Sequence, residues 1–443
     1  MKIFIYLSIS IFSILNCEIV NAGTEFLTTG KGKGSRLTDK IIYEDQTYLD
    51  NIRTVEMHRS GWRLSPPMRN LRDTASLILE FDDLSDEITH YTYTLIHCSA
   101  QWEPSDLVNT EYIIGLPENE IRDFLYSRNA LQNYKHYRLS LPNEDVQPKL
   151  PGNYILYVYN NYDQEQPVLT RRFFIVDPVV QILTDVHRTD NVRYLATAQE
   201  VDFTINYQQL QPDDPRRNFK VTICQNLNWT TEINDLLPKY IQPGELVYNY
   251  EEENLFQGGS EFLHFDTKSL KFNSDRIQEI RFERPLKHIY LLPDRPKALN
   301  TYEYQEDING KYLVKWDDAF DSDTEADYVV VHFKLNTGDF IADTDVFLFG
   351  GLTSWKLDSS NKCTYNPVNQ SYEIELLLKQ GYYNYSYATL QGSGQKANLV
   401  EIDGNHFETE NDYYVFVYYR DIRERFDRLV GLEIANSVKL PEN

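Results

Sequence analysis

The feature that most constrains this chain is a two-residue hydrophobic period that recurs along its length. Val201-Asp202-Phe203-Thr204-Ile205-Asn206-Tyr207 alternates apolar and polar residues without a slip. Successive side chains of a strand point to opposite faces, so this period marks a half-buried strand. Phe219-Lys220-Val221-Thr222-Ile223 repeats it, and Tyr91-Thr92-Tyr93-Thr94-Leu95-Ile96 places two tyrosines and a leucine on one face. Further short apolar runs lie at 77–81, 154–159, 173–176, 328–333, 346–349, 374–378 and 413–419. Turn formers separate them: Pro142-Asn143, Pro151-Gly152-Asn153, Gly350-Gly351 and Asp403-Gly404-Asn405. Short strands punctuated in this way predict an all-β protein of several Ig-like β-sandwiches. One or two helical turns are expected only over 118–131.

The N-terminus reads as an export signal. Met1-Lys2 is a basic start, residues 3–15 are apolar apart from Ser8, Ser10 and Ser13, and Val20-Asn21-Ala22 fits a cleavage site. The rival reading is a lipoprotein signal acylated at Cys17, for which Asn16 is a poor neighbour. Residues 1–22 are therefore expected to be a signal peptide. Residues 23–38, with Gly30-Lys31-Gly32-Lys33-Gly34, are expected to be a flexible leader. The rest suits about three domains, expected at 39–178, 179–318 and 319–443. Asp177-Pro178 and the acidic stretch 317–327 mark the divisions. No other segment approaches the length of a membrane span.

Charge narrows the partners. With 43 Lys+Arg against 67 Asp+Glu the net charge is −24. That opposes binding nucleic acid or anionic lipid, which need a basic surface. Cys98, Cys224 and Cys363 remain beyond the signal. An odd count at wide spacing is no disulfide framework, so they are expected as small core residues.

The motifs of catalysis are missing. Gly30-x-Gly32-x-Gly34 lacks the strand and the Lys-Ser/Thr ending of a phosphate loop. His97 and Cys98 are adjacent on a strand, so they point to opposite faces, one to the core and one to the surface. Asp321-x-Asp323-x-Glu325 has Ala326 where a calcium loop needs glycine. No catalytic residue, cofactor or metal ligand is singled out. One local pattern suggests binding. Residues 346–351 lead into Leu352-Thr353-Ser354-Trp355, and a later strand carries Gly381-Tyr382-Tyr383-Asn384-Tyr385. This resembles starch- and glycogen-binding Ig-like modules, in which a Trp stacks on a sugar ring. Trp355 is the residue that would do so in a secreted carbohydrate-binding protein.

A longer set of motifs runs through the whole mature chain. It includes Tyr43-Glu44-Asp45-Gln46-Thr47-Tyr48, Gly61-Trp62-Arg63-Leu64-Ser65-Pro66-Pro67 and Leu79-Glu80-Phe81-Asp82-Asp83-Leu84. The Tyr43–Tyr48 run, with Ile52-Arg53-Thr54-Val55, is its densest part, and Tyr93-Thr94-Leu95-Ile96-His97-Cys98-Ser99-Ala100-Gln101-Trp102-Glu103-Pro104-Ser105-Asp106-Leu107 follows. Tyr134-Lys135-His136-Tyr137-Arg138-Leu139, Thr170-Arg171-Arg172-Phe173 and Asn411-Asp412-Tyr413-Tyr414 continue it. Together they resemble the plug protein family of the bacterial type IX secretion system, with Lys135 where Thr is expected. The resemblance implies a periplasmic protein on the inner side of the outer membrane. Its implied partner is the giant outer-membrane translocon barrel, whose periplasmic mouth it seals. It implies no enzyme activity and supplies no contact positions. On chemistry alone, Tyr157, Tyr159, Arg171, Arg172, Tyr383 and Tyr385 suit a wet, reversible interface rim.

Overall fold

Each alternating or apolar segment becomes a strand in the structure, a computed structural model that describes residues 41–392 and 397–438. The expectations for the signal peptide, Cys17 and the leader lie outside those residues. The N-terminal sandwich has two sheets. One runs in the order Gln46–Thr47, Pro167–Val176, Gly152–Asn160, Tyr91–Cys98, Asn119–Glu120. The other runs Ile52–Arg59, Leu77–Asp83, Lys135–Leu141, Asp123–Tyr126. Leu79, Phe81, Tyr137, Tyr93, Tyr154 and Phe173 fill the space between them.

The helix expected over 118–131 is not there. Asn119–Glu120 and Asp123–Tyr126 are strands, the second paired with Lys135–Leu141 from Asp123↔Arg138 to Tyr126↔Lys135. Phe124 stacks on Tyr137 with ring centroids 5.1 Å apart. A cross-strand aromatic pair and a full ladder outweigh the weak helical preference of so short a segment.

Parity explains the uninterrupted apolar runs. Along Gly152–Asn160, Tyr154, Leu156 and Val158 enter the N-terminal core, while Ile155, Tyr157 and Tyr159 enter a second core behind the sheet. Along Asp412–Tyr419, Tyr414, Phe416 and Tyr418 face that same second core, and Tyr413, Val415 and Val417 face a third. A strand covered on both faces has no polar side to show. Four sheets are thus stacked through three apolar layers.

Strand pairing also corrects the expected division at residue 318. Asp412–Tyr419 pairs with Phe219–Gln225, so the end of the chain completes the middle sandwich. Leu263–Asp266 and Tyr312–Val314 pair with Gly381–Gln391, inside the last one. The physical reason is edge closure: a sheet takes whichever strand covers its open edge, regardless of chain position. The described residues form one compact unit. The last sandwich packs its own core of Phe265, Val331, Phe333, Leu348 and Tyr385.

Candidate functional site

The densest chemistry lies where the N-terminal sandwich meets the last one. Glu80 and Asp82 sit two residues apart on the Leu77–Asp83 strand, hence on one face. Cross-strand register adds Glu56 beside Glu80 and His136 beside Asp82. From the other side come Tyr328, Lys379 and the short helix Ser322–Glu325. Asp82 accepts from Lys379 Nζ at 2.6 Å, His136 Nδ1 at 2.8 Å and Tyr328 Oη at 2.8 Å. Lys379 also donates to the Asp323 carbonyl at 2.7 Å and lies 4.1 Å over the Tyr134 ring. Arg63 pairs with Glu56 and Glu80, each at 3.0 Å, and with Asp323.

Burial makes these charges interdependent. It works against ionisation of Glu80, but the His58 hydrogen bond and the Arg63 charge outweigh it and hold the carboxyl at about 2. Asp82 is likewise held below the usual carboxylate range by Lys379 and His136, against desolvation. Glu56 goes the other way: burial, relieved only in part by Arg63, pushes it up to about 7. Asp321 and Glu325 are spent locally. Asp321 caps the helix by accepting from the Asp323 amide, and Glu325 accepts from the Phe320 amide at 2.9 Å. They are not arranged as a calcium loop.

All six residues chosen as an interface rim are buried. Tyr157 and Tyr159 lie in the layer between stacked sheets, their hydroxyls on the Gln164 carbonyl and Glu118. Arg172 is held over the Trp102 and Trp229 rings at 4.3 and 5.1 Å, and Arg171 donates to the Gln46 carbonyl. Tyr383 and Tyr385 sit in the last core, with Tyr385 donating to Asp294 at 2.9 Å. The rim reading is therefore corrected: these residues join sheets inside the molecule. For Tyr157 and Tyr159 the alternating neighbours Leu156 and Val158 are apolar too, and that was the signal for two-sided burial.

Trp355 is half-buried and packs edge-on against Phe262 and Phe349, with centroids 5.9 and 5.4 Å away. Gly310 lies under its ring, and a Cβ there would come within 2.3 Å of it. Protein packs part of this aromatic surface, and Trp355 also lines a cavity with Phe262, Phe349 and Asn411. His97 is buried along with Cys98, against the expectation of one surface and one core residue. The sheet is covered on both sides, and burial lowers His97 to about 4. Cys98, Cys224 and Cys363 are buried and free, as expected. Burial pushes the Cys98 and Cys363 thiols up to about 12.

Exposed apolar side chains occur both on strands, as at Leu125, Leu183, Ile241 and Phe282, and in loops. Leu116 and Tyr162 project from neighbouring loops that Glu118 ties together, through Tyr159 Oη at 2.9 Å and Gln164. Among the described residues, two groups have metal-ligand spacing: Glu80, His136 and Asp323, and His187, Glu200 and Asp202. In the first, Arg63 already supplies the positive charge.

This geometry defines a class: an all-β body of stacked sandwiches whose chemistry joins its parts to one another. Residues 52–177, the N-terminal sandwich, match the model of the type 9 secretion system plug protein 1st domain. A crystal structure of a hypothetical protein from Parabacteroides merdae is 33% identical, with a TM-score of 0.86 over 90% of this chain and 100% of that one. The chain belongs to the type 9 secretion system plug protein family. No curated protein matches it. No helix among the described residues is long and apolar enough to cross a membrane.

Proposed function

We propose that this chain is the periplasmic subunit that binds and seals the inner mouth of the outer-membrane translocon barrel in type IX secretion. Membership of the plug family makes it a type IX secretion component. The observation that carries the finer reading is the pair of buried junctions locking the sandwiches into one unit. A wide aqueous barrel leaks unless something folded fills it. A body that does not flex at its domain joints blocks by volume and requires no chemistry. Its charge of −24 favours solubility beside a negatively charged outer membrane.

The test is capture. Tagged chain extracted in detergent from cells expressing the intact system should bring down an outer-membrane barrel of very large mass. Repeated absence of that barrel would sink the reading. Deleting the gene should admit bulky antibiotics, and unchanged permeability would argue against sealing.

A further inference from the structure

The paired strands Gln181–Arg188 and Ala198–Asn206 carry a polar face that the secretion reading does not use. Ile182, Val186, Val201, Phe203 and Ile205 point into the core. The opposite face carries His187 beside Glu200, and Asp185 beside Asp202, in direct cross-strand register. Ligand atoms of His187, Glu200 and Asp202 all lie within 4.8 Å of one another. We infer that these three side chains form a binding site for a divalent transition cation.

Four observations carry this. First, among the described residues no lysine or arginine pairs with Glu200 or Asp202, whereas Arg63 fills the other group of metal-ligand spacing. His187 is the one cation-forming side chain paired with these neighbouring carboxylates among the described residues, and a bound metal relieves their like-charge repulsion. Second, His187 Nδ1 lies 2.9 Å from the Arg188 carbonyl, to which it donates. That turns Nε2 toward the Asp202 carboxylate, where it offers a proton to the carboxylate or, when neutral, a lone pair to a metal, the orientation seen when a backbone carbonyl positions a metal-binding imidazole. Third, Nε2 lies 3.4 Å from Asp202 Oδ2. Two ligands of a tetrahedral zinc ion are separated by about 3.3 Å, given bonds of about 2.0 Å. Fourth, the Asp202 carboxylate is held by two amides, Asn249 Nδ2 at 2.6 Å and Asn254 Nδ2 at 2.9 Å. Asn254 is fully buried, and its own Oδ1 has no hydrogen-bond donor.

One imidazole with two carboxylates suits zinc or manganese better than calcium, which takes six to eight oxygens. His187 is about one-third exposed, so an ion has a path in. Bound there, it would pin the edge strand Gln181–Arg188 to its neighbour. The simplest competing occupant is a proton on His187.

Calorimetric titration of chelator-treated full-length protein with zinc separates these, independently of the translocon reading. One saturable equivalent is expected, together with a raised thermal midpoint and a visible-band spectrum when cobalt replaces zinc. His187→Gln should weaken binding by about tenfold or more. Glu200→Gln, which preserves shape, should do the same with an unchanged circular dichroism spectrum. Absence of saturable zinc uptake would overturn the site. So would full binding by both variants, which would place the ion elsewhere, such as at the His288–His332 pair. Displacement of zinc by equimolar calcium would overturn the assigned metal class.

Discussion

The N-terminal sandwich is joined to the rest of the chain twice, by opposite chemistry. Against the middle sandwich it presents Phe174, Trp102, Tyr157 and Tyr159, which meet Phe416, Tyr414, Tyr418 and Trp229. Phe174 and Phe416 lie 4.7 Å apart, centroid to centroid. Against the last sandwich it presents Asp82, held by His136, to Lys379 and Tyr328, and Arg63, held by Glu56 and Glu80, to Asp323. An apolar junction gains free energy from area and tolerates small shifts. A buried ionic junction gains little net free energy but admits few geometries, because each unpaired charge is costly. The first supplies adhesion, and the second fixes the angle at which the parts meet.

The largest effect should come from the apolar side. Phe416→Ala removes a ring shared by Phe174 and Trp229 and should cost about 3–5 kcal/mol in urea unfolding. A loss under about 1 kcal/mol would show that this layer does not hold the sandwiches together. On the ionic side, Lys379→Met strands a buried Asp82. About 3 kcal/mol is expected, the low end for a broken buried pair, because His136 and Tyr328 still reach that carboxylate. Adding Asp82→Leu should recover most of the loss; a double variant as unstable as the two losses summed would refute the coupling.

Acidity tests the same contrast. Glu56 is raised in the folded state, so folding takes up a proton and stability should rise as pH falls from about 7 to 4.5. Glu80 and Asp82 are lowered, so their contribution is present above their unfolded values and lost as pH falls below about 4.5. Thermal midpoints between pH 8 and pH 3 should therefore pass through a maximum. Glu56→Gln should flatten the upper limb, and an unchanged limb would mean that Glu56 does not titrate there. The smallest stability effect belongs to the exposed loops. Tyr162→Ser and Leu116→Ser should each change stability by less than about 0.5 kcal/mol. Under the proposed function they are the loop residues whose loss should lower barrel capture.

Much of the architecture was legible. Periods of two at 201–207 and 219–223 stand in strands, and the free cysteines are buried as their spacing implied. The family motifs pointed to a plug-family chain, and residues 52–177 match that family's first domain. The junctions were not legible. Asp82 and Lys379 are 297 residues apart, and no local pattern marks a carboxylate and an ammonium as partners at that distance. Tyrosine misled for a related reason. Its ring packs and its hydroxyl bonds equally well at a wet rim or in a core.

Periodicity along the chain determined where strands form and which residues share a face, because those depend on backbone geometry alone. Which face is wet, which edge strand closes which sheet, and which charges meet were decided only by tertiary structure. Burial and ion pairing depend on what packs opposite, and that comes from segments hundreds of residues away. The −24 in the sequence counts charge; the fold decides that some of it is neutralised inside a joint, and that Glu200 and Asp202 are left facing His187.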